Sequence, residues 1–237
     1  MFIDIGNSRT KIFSDTGVSS SIETKDINID YLLGRFKNEK DIFISSVVPS
    51  ALKKIGNELN SLKIKFKVID DKWPYSFDFP FEGMGTDRLL NIEGALTLTD
   101  RPCVIVGSGT AITVEFVLFK NGRAFLDSGV IIPGFNLALK SLHDYTAQLP
   151  LLESKMPNDF VGRNTNEAMI NGVCYSTVRG VEGLIEDVRS KMKIDEFKLF
   201  VTGGAGELFK NLSLKNFIYV EDLIFKGMKN ITRKEVM

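Results

Sequence analysis

The chain has 237 residues, of which 43% are hydrophobic and 25% are charged, and its 30 basic residues balance 30 acidic ones. A chain of this length can bury a substantial core in one large domain or two small ones. The neutral balance predicts no long-range attraction to nucleic acid or to an anionic membrane, so we expect neither as a partner.

The cysteines and the hydropathy pattern predict the cellular compartment of the protein. Cys103 and Cys174 form no C-x-x-C pair, and both are expected to be buried, reduced thiols. No basic-then-apolar leader precedes the first motif, which starts at residue 4, and no apolar run reaches 18 residues. These features predict a soluble, cytoplasmic protein with neither a signal peptide nor a membrane span.

The first hundred residues predict strands followed by alternating helices and strands. The segment 72–86 is rich in aromatic residues, Pro and Gly, so irregular structure with packed aromatic side chains is expected there. The predicted elements are strands at 1–5, 10–13 and 18–22, a helix at 29–37, a strand at 41–48, a helix at 49–62, a strand at 65–70 and a helix at 87–98.

The same pattern starts again at Cys103. Residues 4–10 overlay residues 107–113 at an offset of 103, matching a strand, a glycine turn and a returning strand. Two copies of such a unit predict two related lobes, 1–100 and 101–237, with a cleft between them. The later predicted elements are a strand at 123–134, helices at 135–147 and 164–191, a strand at 198–204, a helix at 205–212 and a strand at 217–220.

The first candidate site is the segment DIGNSRTK, residues 4–11. A carboxylate ends a buried strand, and the glycine turn that follows offers backbone N–H groups to phosphate oxygens. Asp4 could hold Mg²⁺, which binds one or two carboxylates together with substrate phosphates, and Lys11 could neutralise phosphate charge. The alternative is an ordinary Asx-Gly hairpin turn. The G-x-x-x-x-G-K-[ST] phosphate loop is absent from the sequence.

Two further glycine turns follow strands in the second half. In VIVGSGTAITVEF, residues 104–116, Gly109 and the Thr110 hydroxyl would face the phosphates. In VTGGAGE, residues 201–207, Gly203 and Gly204 leave room for a flat ring or a phosphate close to the backbone. Three such turns in two similar halves jointly predict a nucleotide bound between the lobes.

The segment GMGTDRLLN, residues 83–91, indicates a different chemistry. Asp87 could accept a proton from a substrate hydroxyl, and Arg88 could bind a substrate anion. The alternative is that Asp87 caps a helix and Arg88 is solvated or salt-bridged. Thr165 is expected to cap the helix that follows it, and His143, the only histidine, is expected to play a structural or supporting role.

In combination, these segments resemble the type III pantothenate kinases of the actin/hexokinase/acetate-kinase superfamily. The resemblance implies an α/β fold of two duplicated ribonuclease-H-like lobes, each a mixed sheet flanked by helices, in a homodimer. It also implies ATP-dependent phosphorylation of pantothenate to 4'-phosphopantothenate, the first step of coenzyme A synthesis, with Mg²⁺ and a monovalent cation, K⁺ or NH₄⁺. The matching segments are DIGNSRTK, GTDR, GTAITVE, GVIIPG with TAQLP, GRNTNEA and VTGGAG.

The resemblance implies a role for each matching residue. Asp87 corresponds to the proton acceptor and Thr165 to a substrate contact near the dimer interface, while Thr110 contacts ATP. The substrate loop falls on Gly85, Thr86, Asp87 and Arg88, and the first phosphate loop falls on Asp4, Ile5, Gly6, Asn7, Ser8, Arg9, Thr10 and Lys11.

Two departures from the family pattern keep other functions open. Gly107 stands where the family has an aspartate that helps hold the monovalent cation, so either a nearby side chain replaces that ligand or the cation is lost. The tyrosine usual upstream of the substrate loop has no clear match, with Phe77 or Asp78 nearest. The alternatives are a kinase-derived regulatory or nucleotide-binding protein without turnover, and a related kinase with another small hydroxyl substrate.

Overall fold

The computed structural model of the chain describes residues 1–14, 19–35, 41–80, 83–194, 196–212 and 216–235. The chain divides into two compact units. The first is built from Met1–Ser76, Pro80–Leu98 and Leu223–Met237, and the second from Phe77–Phe79 and Thr99–Asp222. These units differ from the predicted lobes 1–100 and 101–237 chiefly at the C-terminus, which belongs to the first unit.

The described residues form eleven β-strands, seven α-helices and one 3-10 turn. The first half contains β1 (Phe2–Ile5), β2 (Arg9–Phe13), β3 (Ser19–Glu23), a 3-10 turn (Thr24–Asp26), α1 (Ile29–Leu33), β4 (Phe43–Ser46), α2 (Pro49–Ser61), β5 (Lys67–Val68), β6 (Phe77–Asp78) and α3 (Thr86–Leu96). The second half contains β7 (Cys103–Ser108), β8 (Ala111–Lys120), β9 (Arg123–Pro133), α4 (Phe135–Asp144), α5 (Thr165–Met192), β10 (Lys198–Thr202), α6 (Gly206–Asn211), β11 (Phe217–Tyr219) and α7 (Leu223–Glu235).

The two sheets follow the same plan. In the described part of the chain, the first sheet has the strand order β3-β2-β1-β4-β5, and the second has the order β11-β10-β7-β8-β9-β6. Read from β9, the second sheet repeats the first, with β6 added beyond β9. In each copy three antiparallel strands are followed by two parallel ones. The predicted α/β class with duplicated mixed sheets is therefore confirmed.

The two hairpins that open these copies differ by one residue. Three residues, 6–8, connect β1 to β2, whereas only Gly109 and Thr110 connect β7 to β8. Asp4 therefore pairs with Lys11, whereas Gly107, at the equivalent strand position, pairs with Thr113. The offset of 103 holds for the first strand of each copy, but the returning strand matches at 102 because the second turn is shorter.

The first sheet is covered on both faces, since successive side chains of a strand point to opposite sides. One face buries Ile3, Ile5 and Ile44 against Ile55 and Leu59 of α2. On the other face, Phe2 and Phe13 of the strands pack with side chains of α3 and α7, namely Leu90, Ile224, Phe225, Met228 and Ile231.

Helix α7 belongs to the first unit because of how closely it approaches α3. A Cβ placed on Gly94 would overlap the backbone carbonyl of Leu223, and one on Gly227 would overlap that of Leu90. The two helices therefore touch backbone to backbone at a pair of glycines. Phe225 also stacks on Phe13 with ring centroids 5.1 Å apart. No helix or strand is predicted from the sequence in this C-terminal segment.

A large core cluster of the second unit lies on one face of its sheet. Val104, Val106 and Val114 pack there against helix α5, whose buried stripe includes Cys174 and Val178. Both cysteines are free and buried, as predicted. Among the described residues, no helix is both long enough and apolar enough to cross a bilayer. Residues 77–78, expected to be irregular, instead form β6 along the edge of β9.

Candidate active site

Asp4 lies at the carboxyl end of β1, between side chains of two neighbouring strands. It is directly opposite Lys11 of β2 and opposite Ser45 of β4, so the three residues share one face of the sheet. The Asp4 side chain is half-buried. Burial and, to a smaller extent, the negative charge of Asp87 together raise the pKa of Asp4 from 3.8 to about 7, and Lys11 opposes the shift. The structure thus brings together Asp4 and Asp87, which are 83 positions apart in the sequence.

The predicted substrate loop forms the start of α3. Gly85 is the N-cap and Thr86 the first helical residue, so Asp87 is not the N-cap residue. Asp87 Oδ1 accepts a hydrogen bond of 2.9 Å from the Arg88 backbone N–H. A Cβ at Gly85 would lie 2.6 Å from that same oxygen, so the glycine makes room for the carboxylate. Burial raises the pKa of Asp87, while Arg88 opposes the shift.

The start of α3 is tied to the sheet by a contact that sequence reasoning missed. The hydroxyls of Ser45 and Thr86 are 3.0 Å apart. Ser45 is buried in β4 directly beside Asp4. Its signal in the sequence was a pair of serines, Ser45 and Ser46, after the apolar start of β4, which runs parallel to β1.

Thr24, a second residue that sequence reasoning missed, stabilises the turn at 6–8 through hydrogen bonds. Its hydroxyl donates to the Gly6 carbonyl at 2.6 Å, and its backbone N–H donates to the Ser8 carbonyl at 3.0 Å. The Gly6 N–H is itself bonded to the Arg9 carbonyl at 3.1 Å. Asn7 is exposed, as are Ser8 and Arg9.

The remaining residues of this predicted phosphate loop are not exposed. The side chains of Ile5 and Thr10 are fully buried, and the Thr10 hydroxyl lies 3.2 Å from that of Thr24. Any contact between these two residues and a ligand would therefore involve the backbone. The exposed part of the loop is confined to its tip.

The second unit brings its own glycine turns together at one edge of its sheet. The Gly134 N–H, at the N-cap of α4, donates to the Thr110 carbonyl at 3.0 Å. Gly203 has φ +96°, and a Cβ there would overlap the Ser108 carbonyl. Only glycine readily adopts this positive φ and also leaves room for the Ser108 carbonyl. Gly109, Thr110 and Gly204 are exposed at this edge.

Gly107 lies between two threonines on the second sheet. Its register partners are Thr113 on β8 and Thr202 on β10, and the Thr202 hydroxyl donates to the Glu221 carbonyl at 3.4 Å. No cluster of three or more His, Cys, Asp or Glu side chains able to hold a metal occurs in the described ranges. The carboxylate that the family resemblance calls for is absent at 107, so the donors at this position do not fit a carboxylate-held K⁺ or NH₄⁺.

The predicted cap of α5 is corrected by the structure. Asn164 is the N-cap, and its Oδ1 accepts the Glu167 N–H at 3.0 Å. Thr165 is the first helical residue and is exposed. Because an asparagine side chain reaches the N3 amide readily, it takes the role that the sequence analysis assigns to Thr165. His143 Nδ1 lies 2.7 Å from the Leu149 carbonyl, in keeping with a structural role.

Comparison with solved structures defines the class of fold. An archaeal actin homolog aligns with a TM-score of 0.54 at 11% identity and covers 98% of both chains. A 2-dehydro-3-deoxygalactonokinase from Sinorhizobium meliloti aligns at 0.58 and 12%, covering 98% of this chain and 95% of that one. The fold is therefore that of actin-like ATPases and sugar kinases. At 26% identity, a structure described as a Baf family transcriptional activator from Campylobacter jejuni aligns with a TM-score of 0.67, covering 99% and 98%.

Sequence comparison gives the family. The family model for type III pantothenate kinase matches residues 1–187. A type III pantothenate kinase from Bifidobacterium longum is 33% identical, with 83% of this chain and 77% of the relative covered. One from Thermosipho africanus is 30% identical over 96% of both. The chain belongs to the type III pantothenate kinase family, whose reaction is a step of coenzyme A biosynthesis.

Proposed function

We propose that the chain transfers the γ-phosphoryl group of ATP to pantothenate, giving 4'-phosphopantothenate and ADP, with Asp87 as the proton acceptor. The observation that carries this assignment is the pairing of two half-buried carboxylates, Asp4 and Asp87, in one unit, with the charge of Asp87 acting on Asp4. Carboxylates with raised pKa values are common at catalytic sites.

The proposed chemistry takes place at the hydroxyl of pantothenate. Its oxygen forms a bond to the γ-phosphorus, the bond from that phosphorus to the β,γ-bridging oxygen breaks, and ADP leaves. The hydroxyl proton passes to the Asp87 carboxylate, which therefore has to be ionised at the start. Arg88 supplies a cation for the carboxylate of the substrate. Most of the acceleration in such a reaction comes from positioning and electrostatics.

Asp4 suits a Mg²⁺ ion that arrives with the nucleotide. A half-buried carboxylate opposite Lys11 provides the single protein ligand that Mg²⁺ typically takes when phosphates and water fill its other positions. When bound, Mg²⁺ neutralises charge on the phosphates. The residues proposed to contact ATP are 4–11, Gly109, Thr110, Gly203 and Gly204.

The assembly and the location are part of the same proposal. Several large apolar side chains on the second unit are exposed, which favours a homodimer formed through this surface, with Thr165 as a substrate contact near it. We place the enzyme in the cytoplasm, where ATP is available and free thiols such as Cys103 persist. The exposed apolar residues are Ile131, Leu137, Tyr145, Leu151, Phe160 and Val161.

One assay tests the reaction. The purified chain is incubated with ATP, Mg²⁺ and pantothenate in K⁺, NH₄⁺ or Na⁺ buffers, and phosphopantothenate is measured by mass spectrometry. We expect product in all three buffers. Absence of product in every buffer would refute the proposed function.

A second candidate is a nucleotide-binding regulatory protein without turnover. Gly107, in place of the expected carboxylate, and the similarity to a protein described as a transcriptional activator both favour it. Nucleotide binding without phosphoryl transfer to pantothenate or to a panel of small hydroxyl compounds would support this candidate. Transfer only to another member of the panel would instead identify a related kinase.

A further inference from the structure

Helix α3 carries a buried carboxylate that the proposed reaction does not use. Glu93 is 0% exposed, yet it is an ionisable residue in the last turn of the helix that begins with the substrate loop. Its Oε2 accepts the Ser76 backbone N–H at 2.8 Å, and its Oε1 accepts the Ser76 hydroxyl at 2.8 Å. Asn230 Nδ2 donates to Oε1 at 2.7 Å, and Lys234 Nζ pairs with it at 2.5 Å.

These four residues, which we call the Glu93 cluster, join three separate parts of the first unit. Ser76 belongs to the segment that follows β5, Glu93 to α3, and Asn230 and Lys234 to α7. Lys234 also contacts the Ser76 hydroxyl. The Lys234 side chain is 35% exposed, whereas the Glu93 side chain is fully buried.

Stability alone does not account for such a group. Burying a carboxylate carries a desolvation cost that its pairing often only balances, and an apolar residue of similar volume is frequently as stable. A carboxylate with several directional partners does fix one geometry, because each hydrogen bond constrains distance and angle. We therefore expect the cluster to contribute more to the position of α3 than to the stability of the fold.

The position of α3 determines where Asp87 lies, because Asp87 is in the first turn of the same helix. Asp87 precedes Glu93 by six residues, or about 9 Å along a rigid helix. The Ser45–Thr86 contact holds the first turn against β4, and the Gly94–Gly227 approach holds the last turn against α7. Both contacts also restrict rotation of the helix about its own axis. The directional bonds of the Glu93 cluster add a third constraint, which ties α3 to Ser76 as well as to α7.

We propose that the Glu93 cluster is a positioning device for Asp87, setting the axial position and rotation of α3 so that the Asp87 carboxylate stays beside Asp4. Glu93 does not touch the reacting atoms, so it is a positioning residue. The inference rests on the proposed function for its kinetic readout, and the test includes a second readout that does not.

The test compares Glu93→Gln and Lys234→Met with a matched control. Glu93→Gln keeps the volume of the side chain but turns one acceptor into a donor that faces other donors. Lys234→Met removes only the cationic partner. Leu59→Ala in α2 is the control, because Leu59 is equally buried in the same unit but packs on the opposite face of the sheet. Steady-state kinetics are measured at a temperature at which every variant is folded, together with hydrogen exchange of the amides of residues 86–90.

We expect Glu93→Gln to lower kcat by about 10-fold or more, because small misplacements of a reacting group have large effects on rate. KM for ATP should stay within about twofold, since binding contacts are untouched. Exchange at residues 86–90 should rise in Glu93→Gln and, to a smaller extent, in Lys234→Met. The Leu59→Ala control should lose thermal stability but keep kcat and the exchange rates of the first turn of α3.

An unchanged kcat and unchanged exchange in the Glu93 variant would overturn the proposal. So would an equal loss of kcat in the Leu59 control, because that would indicate general destabilisation. Should Glu93→Gln not fold, Lys234→Met decides by the same criteria. If the wild type has no kinase activity the proposed function fails, and the exchange measurements alone then decide whether the cluster positions α3.

Discussion

At the scale of single residues, the site depends on how two carboxylates share one environment. Asp4 and Asp87 repel each other, and both are removed from water, so both resist ionisation. Lys11 and Arg88 counteract this with positive charge. We propose a different role for each carboxylate, Mg²⁺ binding for Asp4 and proton acceptance for Asp87, and each role can be tested separately.

Asp87→Asn tests the proton acceptor. The amide retains the shape of the side chain but cannot take the hydroxyl proton, so turnover should fall by about 10²–10⁴-fold. ATP affinity, measured by equilibrium binding, should stay near the wild-type value because Asp87 is assigned to the acceptor substrate. Asp71→Asn, an exposed carboxylate of the same unit, is the control. Full activity in the Asp87 variant would show that another group accepts the proton.

Asp4→Asn tests the raised pKa of about 7. The folded protein holds the Asp4 proton more tightly than the unfolded chain, so the free energy of unfolding falls as pH rises from about 4 to 7. For a half-buried group we expect a penalty of about 1–2 kcal/mol at pH 8, which the variant lacks. In urea unfolding at pH 4, 6 and 8, the free energy of unfolding of the variant should rise relative to that of the wild type as pH rises. Asp26→Asn, an exposed acid, should show no such trend.

Gly107→Asp tests the missing cation ligand. Wild-type turnover should be similar in K⁺ and Na⁺, because no carboxylate is available at 107. Adding one beside Thr113 and Thr202 should create a dependence on K⁺, read both as turnover and as a K⁺-specific rise in melting temperature. Gly107→Ala adds a Cβ without charge and is the matched control. A K⁺ response that is the same in all three proteins would contradict this account of Gly107.

At the scale of elements, the packing of α7 on α3 decides where the C-terminal segment lies. A pair of helices usually keeps its axes 8–10 Å apart, and glycines allow a closer approach. Here Gly94 and Gly227 each face the backbone of the other helix. The helix that carries the proposed substrate loop is therefore supported directly by α7.

Gly227→Ala tests that support. The added methyl group would overlap the Leu90 carbonyl, so α7 has to move away, and we expect the free energy of unfolding to fall by roughly 2–3 kcal/mol. Gly183→Ala is the matched control, because a Cβ at that exposed position of α5 meets nothing within 4 Å. The control should gain up to about 1 kcal/mol from the higher helix propensity of alanine. Equal effects in the two variants, by chemical denaturation, would contradict the close packing of α3 and α7.

At the scale of the whole molecule, the exposed apolar side chains of the second unit are the basis of the proposed homodimer. Phe160 and Val161 are each 68% exposed, and Phe160 lies against Tyr175 with ring centroids 4.7 Å apart. Aromatic side chains of this kind often anchor an interface. The proposed homodimer makes this surface its buried centre.

Phe160→Asp tests the assembly. Sedimentation equilibrium should give twice the chain mass for the wild type and a shift toward the monomer for the variant, since a carboxylate at the centre of an interface is strongly unfavourable. Leu62→Asp, at an exposed apolar position of the first unit, should leave the mass unchanged. A variant at Phe160 that sediments like the wild type would show that this surface is not the interface.

The sequence by itself determined the duplicated plan and most of the helices and strands, because hydrophobic periodicity and glycine turns are local signals. It also predicted a site at the stretches around Asp4 and Asp87, since a carboxylate beside a glycine turn is visible in the chain. Only the tertiary structure decided which distant residues meet. The Ser45–Thr86 contact, the Thr24 support of the first turn and the Glu93 cluster join residues far apart in the sequence. The amphipathic pattern of α7 does not show to which unit the helix belongs, because an apolar stripe can pack on many partners. The close fit of Gly94 and Gly227 is specific for α3, and it is visible only in the tertiary structure.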